Sequence, residues 1–359
     1  MIGRRLKVAR AAAGLSLRGL EARIGGRVTA QAISKYERDQ SLPASAVLIA
    51  LADALGVSVD YLTGDPEVVL EAIEFRKKKI TSRREEAQVE GQVVHLLDRY
   101  LAIEALLGLP SVEWDRPRDA PYPIPDVREA EYAARSLRTD WKLGIDPIPS
   151  VVELLEGHGI KVLSVDLANI DGLTARARRG TAGFVSVIVV NRATCGERQR
   201  FTSSHELGHM VLRVAPDVDA EKAAHRFAGA FLMPAEALRA EMGARRSSIG
   251  WSELFDLKQL FGVSVQALTV RCRDLGIFDT ALYQRLFRDF TRFGWRSPPY
   301  PEPHARPGER PRRFERLCFR ALAEGAVSEA RAAELLGLSV RLLHQRMEEP
   351  PESGGTDAA

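Results

Sequence analysis

Cysteine is scarce in this chain of 359 residues: three copies, Cys195, Cys272 and Cys318, lie far apart. That excludes a disulfide framework and fits a reducing compartment. Long apolar runs are missing too. No stretch approaches a membrane span, and the N-terminus lacks the apolar core of a signal peptide, so a cytoplasmic chain without membrane contact is expected. A dominant charge is also absent. The formal net charge is only +3, so any surface for a polyanion has to arise from local clustering. What remains is 45% hydrophobic and 28% charged, the balance of a soluble globular protein long enough for two or three domains.

The most informative stretch is Phe201-Thr-Ser-Ser-His-Glu-Leu-Gly-His-Met-Val-Leu212, which contains His205-Glu206-Leu207-Gly208-His209. On a helix, residues four apart share a face, so both imidazoles can reach one ion. Glu206 then stands beside the metal, where a carboxylate can take a proton from zinc-bound water. Phe201, Leu207, Met210, Val211 and Leu212 suit a buried helix, with Ser203-Ser204 near its start. Gly208 is expected to leave room for a substrate or strand beside the metal. A catalytic zinc needs a third protein ligand. Glu221, 12 residues after His209, opens a second amphipathic stretch with Ala224, Phe227, Ala228 and Phe231 on one face. It is the expected third ligand. His225, one turn later, is the alternative ligand, or a partner that orients one.

With Arg198-Gln-Arg before the motif and Glu221-x-x-Ala-x-x-Phe-Ala and Phe-Leu-Met-Pro234 after it, the segment resembles the ImmA/IrrE family of metallopeptidases. The resemblance implies a zincin-like fold with His205, His209 and Glu221 as zinc ligands and Glu206 as general base. It further implies action on bacterial or phage repressors in a stress response. His225 departs from the Asn or Asp often found at its position in that family.

Residues 1–64 read as a run of short helices. Leu6, Val8, Ala9, Leu17, Leu20, Ile24, Ile33, Tyr36, Leu48, Leu51 and Leu55 supply the apolar set, punctuated by Gly14, Gly25-Gly26 and Pro43. The order of helices is that of a helix-turn-helix, and the whole segment closely resembles an XRE (Cro/repressor-type) DNA-binding domain. In that reading the helix from Thr29 enters the major groove of double-stranded operator DNA. Gln31 would read a base edge beside Thr29, while Ser34, Lys35 and Arg38 would hold phosphates. Ala30 departs from the Gln common at its position in such domains. Nine Lys/Arg against five Asp/Glu over 1–64 have the sign that DNA requires.

Residues 65–110 read as helical, through Val68, Val69, Ala72 and Ile73 and then Val93 to Leu107. Within them, Arg76 to Arg84 holds six basic residues in nine, read as a solvated helix face. The apolar residues of this segment would also serve a homodimer contact. Pro110 to Pro125 reads as a linker. Strands are expected over 160–165 and 183–191, with turns at Asp171-Gly172 and Arg178-Arg179-Gly180 between them. The edge of that sheet is expected to be free to pair with an extended substrate. Arg198 and Arg200 would bind a substrate carboxylate or pair with an acid at the helix start. Leu257 to Arg271 and Val327 to Ser339 both have a helix-turn-helix cadence, the first read as packing support and the second as part of a small appended helical subdomain. Residues 285–320 hold ten arginines against four acids, with Phe290, Phe293, Trp295 and Tyr300 interleaved, the composition of a nucleic-acid or acidic-partner surface.

The expected class is α+β, mostly helical, with an all-α helix-turn-helix domain (1–64) and a helical connector with a Pro-rich linker (65–126). A zincin-like metallopeptidase domain with a small mixed sheet (127–280), a basic helical C-terminal region (281–349) and a disordered tail (350–359) follow. The expected function is DNA-binding regulation coupled to zinc-dependent cleavage of a repressor protein. The competing expectation is a regulator or antitoxin-like protein that cuts nothing, its metal site sensory or structural.

Overall fold

The computed structural model describes residues 2–64, 68–74, 83–109, 114–167, 170–179 and 183–348. From the N-terminus come α1 (Gly3–Ala12), α2 (Leu17–Arg23), α3 (Ala30–Glu37), α4 (Ser45–Leu55) and α5 (Val59–Thr63), then β1 (Val68–Glu74) and α6 (Arg83–Leu106). The middle of the chain forms β2 (Tyr122–Ile124), α7 (Ala130–Asp140), α8 (Val151–Gly157), β3 (Lys161–Val165), β4 (Gly172–Arg179) and β5 (Phe184–Asn191). Next are α9 (Gly196–Val211), β6 (Leu212–Val214), α10 (Ala220–Leu232), α11 (Ala235–Met242), α12 (Trp251–Phe261), α13 (Val265–Asp274) and α14 (Thr280–Arg292). Helices α15 (Arg313–Ala323), α16 (Glu329–Leu336) and α17 (Val340–Glu348) close the described chain. The fold is α+β and mostly helical. Among the described residues no helix is long and apolar enough to cross a membrane.

The chain divides into two compact units, one formed by residues 1–69, 82–111 and 312–359, the other by 70–81 and 112–311. The C-terminal region expected over 281–349 is therefore split. Its last three helices fold onto the N-terminal module, because Leu317, Cys318, Ala321, Ala333 and Leu335 bury against Tyr100 and Ile103 of α6. In that module Leu6, Leu20, Ile33, Leu51 and Leu62 are fully buried, one from each of α1 to α5. Ser16, Thr29 and Ser58 cap the starts of α2, α3 and α5 by accepting a backbone N–H with their side chains.

Within the same unit, His95 of α6 lies edge-on to Tyr61 at 5.1 Å. Burial, with Arg99 and Arg5 adding to it against Glu334, pushes the imidazole down to about 4. A histidine that titrates lower in the folded than in the unfolded chain binds its proton preferentially in the unfolded state. Stability is thus whole above about pH 6.5 and erodes as pH falls towards 4, by something of order 3 kcal/mol. Thermal melts of the full chain at pH 7 and pH 4.5 test this. His95→Leu should lose clearly less stability between the two than wild type, and equal losses would refute the assignment.

The second unit is built on the mixed sheet β1-β4-β5-β3. β3 runs parallel to β5, with Val162 opposite Ile188, and β4 runs antiparallel to it, with Leu173 opposite Val189. Val162, Ile188 and Val190 pack with Leu207, Phe227 and Phe231 into one apolar core. Five expectations change here. Val68 to Ile73 form a strand, not a helix, and that strand covers the sheet edge expected to be free. The stretch between the expected turns at 171 and 179 is itself a strand, β4. Part of the expected linker is β2, paired in parallel with β6. Phe290 and Trp295 of the arginine-rich segment are core residues, 0% and 8% exposed, so they do not form an aromatic binding surface. Of the basic run 76–84, residues 76–82 lie outside the described residues, as does the tail 350–359.

The two internal helix-turn-helix cadences have a common cause. Gly262 and Gly337 end α12 and α16 in the left-handed region, at φ 63° and 68°, and Ser264 and Ser339 cap the next helix two residues later. The turn from α4 to α5 uses Gly56 and Ser58 in the same way. This is a corner-turning device, and in α13 the helix it launches is mostly buried.

Candidate metal centre

Helix α9 starts one short turn after β5 and crosses the sheet with nearly every residue buried. A helix so enclosed needs its polar residues matched. At its first turn the Glu197 carboxylate accepts from Lys258 Nζ at 2.8 Å, and the same ammonium reaches Glu302 at 3.2 Å. Arg200, 1% exposed, pairs with Glu309 and donates to the Ile148 carbonyl at 2.7 Å. Arg198 makes a two-pronged pair with Asp171, at 2.8 and 2.6 Å, just before β4. Both arginines are thus committed to holding the helix in place, the plainer of the two roles expected for them.

This anchoring places the motif. Gly172, the first residue of β4, abuts α9. A Cβ there would collide with Thr202 and lie 2.8 Å from the Val189 carbonyl and 3.6 Å from Cγ of Glu206. β4 therefore runs directly alongside the helix turn that carries Glu206, which is 3% exposed. Short β6 turns the chain back into α10, capped by Asp219, whose side chain accepts from Lys222 N at 3.1 Å. That cap sets Glu221 in the first turn of α10, facing the histidines.

His205 Nε2 and His209 Nε2 are 3.0 Å apart, and Glu221 carboxylate oxygens lie 3.3 Å and 3.6 Å from them. Two donors bound at about 2.0–2.1 Å to a tetrahedral ion stand roughly 3.3 Å apart, so the two imidazoles and the carboxylate fit one zinc-sized cation. They form the only His/Cys/Asp/Glu group among the described residues that is compact enough for a metal. The two imidazoles are largely buried, whereas the Glu221 side chain is 49% exposed, which leaves the centre open on its carboxylate side.

His225 falls outside the donor group. Its Nδ1 lies 2.8 Å from the Glu221 carbonyl, and its ring stands edge-on to His205 at 4.4 Å between centroids. It packs against His205, a position that suits an orienting role. Gly208 does not open space for substrate. A Cβ there would be 2.9 Å from Phe227 Cδ1 and 3.5 Å from Ala224 Cα, so this glycine permits the close crossing of α9 and α10 that brings Glu221 to the histidines. Cysteine chemistry has no place here: burial raises the Cys195 thiol at the start of α9 and pushes Cys272 and Cys318 up to about 12, away from reactive thiolate.

In the other unit, α3 presents Gln31, Lys35 and Arg38 to solvent, with Ser34 half-buried. Thr29 is exposed, but its hydroxyl caps α3 by accepting from Ala32 N at 3.2 Å. Arg10 braces the end of α3 through Glu37, at 2.5 and 2.9 Å. The exposed cations Arg23 and Arg27 flank the turn before α3 and extend the basic face beyond the residues singled out from sequence.

A helix-turn-helix family model matches residues 6–62, and a peptidase-family model described as the IrrE N-terminal-like domain matches residues 155–273. The first match spans α1 to α5. The second runs from the end of α8 through the sheet strands β3 to β5, the helices α9 and α10 that carry His205, His209 and Glu221, and most of α13. The chain thus fuses an XRE-type helix-turn-helix to an IrrE/ImmA-like module. Comparison with curated proteins found no match.

Proposed function

We propose that this fusion of an XRE-type helix-turn-helix with an IrrE-like peptidase-family module is a cytoplasmic DNA-binding regulator that hydrolyses a peptide bond in a repressor protein, with zinc as its metal. The observation that carries the reading is the convergence of His205, His209 and Glu221 at 3.0–3.6 Å, with the carboxylate of Glu206 on the same helix as the two imidazoles. The donor set, two imidazoles and a carboxylate with an open side, is that of catalytic zinc. Bound there, zinc would polarise the scissile carbonyl and acidify a water molecule.

The chain's own residues do the rest. Glu206, held by a helix anchored at Glu197, Arg198 and Arg200, accepts the proton of the attacking water and passes it to the departing amine. β4, pressed against the same helix, offers main-chain groups to orient an extended peptide. Gln31, Lys35 and Arg38 on α3 supply the base and phosphate contacts that bring the module to an operator, where a repressor is found. Stress or mobile-element signalling is the setting in which such a pairing of modules acts.

Elemental analysis of purified full-length protein tests the centre. Wild type should carry close to one zinc per chain, and Glu221→Ala should lose most of it. His225→Ala should keep it, with affinity weakened about 10–100-fold if the ring orients His205. Wild-type protein without zinc, prepared free of chelators, would overturn the peptidase reading and leave a regulator that only binds DNA.

A further inference from the structure

The strand order β1-β4-β5-β3 raises a question about access. β4 is the strand that touches α9 beside Glu206, and β5 occupies one of its edges. Its other edge is where an extended peptide would add to the sheet beside the catalytic carboxylate. The far edge, β3, is separated from β4 by β5. The edge beside α9 is taken by the chain itself: β1, residues Val68–Glu74, hydrogen-bonds to β4. Seven residues at about 3.3 Å each extend over roughly 20 Å, enough to cover most of an eight-residue strand.

We infer that β1 is an internal occupant of the substrate edge, which must leave β4 before another extended polypeptide can bind there. The inference rests on the peptidase reading for its functional meaning and on the strand order for its geometry. Three further observations bear on it. β1 is no integral part of the sheet by chain order: it comes from the connection between α5 and α6, about a hundred residues before β4. That connection starts and ends in the DNA-binding unit, to which residues 1–69 and 82–111 belong. The sequence of β1, Val-Val-Leu-Glu-Ala-Ile-Glu, is apolar with two acids, whereas β4 carries Arg176, Arg178 and Arg179. An apolar, acidic, extended segment is therefore the class of polypeptide this edge accepts, and a substrate segment of that kind would compete with β1.

The test uses full-length protein carrying Glu206→Gln, so that binding is read without cleavage. The probe is a fluorescent peptide with the sequence of residues 68–74, followed by anisotropy. Alternate residues of a strand turn their N–H groups to opposite sides, so of Leu70→Pro and Glu71→Pro one removes a bond to β4 and the other does not. The one that does should bind the peptide at least about tenfold more tightly than its parent and speed hydrogen exchange at the amides of 172–179. The other serves as control for proline itself, and zinc content and thermal melting report that each variant is folded. Equal peptide affinity in all three proteins, or unchanged exchange in β4, would overturn the proposal. Failure of the peptidase reading looks different: with Glu206 restored and zinc bound, the opened variant would bind the peptide and leave it and unrelated unfolded polypeptides intact.

Discussion

Glu206→Gln is expected to lower peptide hydrolysis by about 10²–10⁴-fold while zinc content, melting temperature and operator affinity stay at wild-type values. The substitution keeps the shape of the side chain and removes only its capacity to hold a proton. Glu206 is not one of the three metal-spaced donors, which are His205, His209 and Glu221. It is nonetheless 3% exposed and packed where β4 begins, so a change of shape there would disturb the sheet. An isosteric change avoids that and isolates the chemistry. The comparison also separates the two classes of function. If wild type and Glu206→Gln bind the same operator equally well and neither cuts any unfolded or extended polypeptide, with zinc bound in both and β1 released by the proline substitution in both, the metal is structural or sensory. If wild type cuts and the variant does not, the centre is a peptidase.

Much of this site could be read from spacing alone. His205 and His209 lie one helical turn apart, and the periodic face starting at Glu221 brings it within 3.6 Å of both. The residues that read poorly are those whose role is set by a neighbour distant in sequence. Gly208 looked like space for a ligand because its occupant, Phe227, belongs to the next helix. The β4 segment Gly-Leu-Thr-Ala-Arg-Ala-Arg-Arg lacks the β-branched run that marks β5, and its opening Gly172 is explained only by packing against α9. β1 has apolar residues compatible with either helix or strand over a short span, and pairing with β4 decides between them. The arginine-rich stretch after α14 suggested a surface for polyanions. Its Phe290 and Trp295 bury instead, Glu309 pairs with Arg200, and the backbone N–H of Arg306 donates to Glu197, so the segment holds α9. Charge clusters in sequence do not disclose whether their partners are solvent, ligand or the chain's own buried acids.

Lys258→Met should destabilise the unit built on the mixed sheet by about 3–5 kcal/mol. Lys258 is 2% exposed and stands between Glu197 and Glu302, 2% and 5% exposed at their side chains, at 2.8 and 3.2 Å. Removing the ammonium leaves two carboxylates buried without their direct ion-pair partner, held by neutral donors: Arg306 N at 2.8 Å on Glu197, and Val265 N at 3.0 Å and Gln266 Nε2 at 3.2 Å on Glu302. Desolvated charge without a counter-charge is among the costliest defects a core can carry. For a unit of this size the loss corresponds to a fall in melting temperature of roughly 10 °C. Because Glu197 opens the helix that carries both histidines, the loss should extend to function, with zinc released at lower temperature than from wild type. Adding Glu197→Gln and Glu302→Gln removes both stranded charges while keeping acceptors for the backbone N–H groups. The triple variant should therefore recover most of the lost stability, even though every ion pair in the cluster is gone. Calorimetry of the three zinc-loaded proteins decides. A fall of less than about 3 °C for Lys258→Met, or a triple variant no more stable than the single one, would mean that solvent reaches this cluster and that α9 is held chiefly by its apolar contacts.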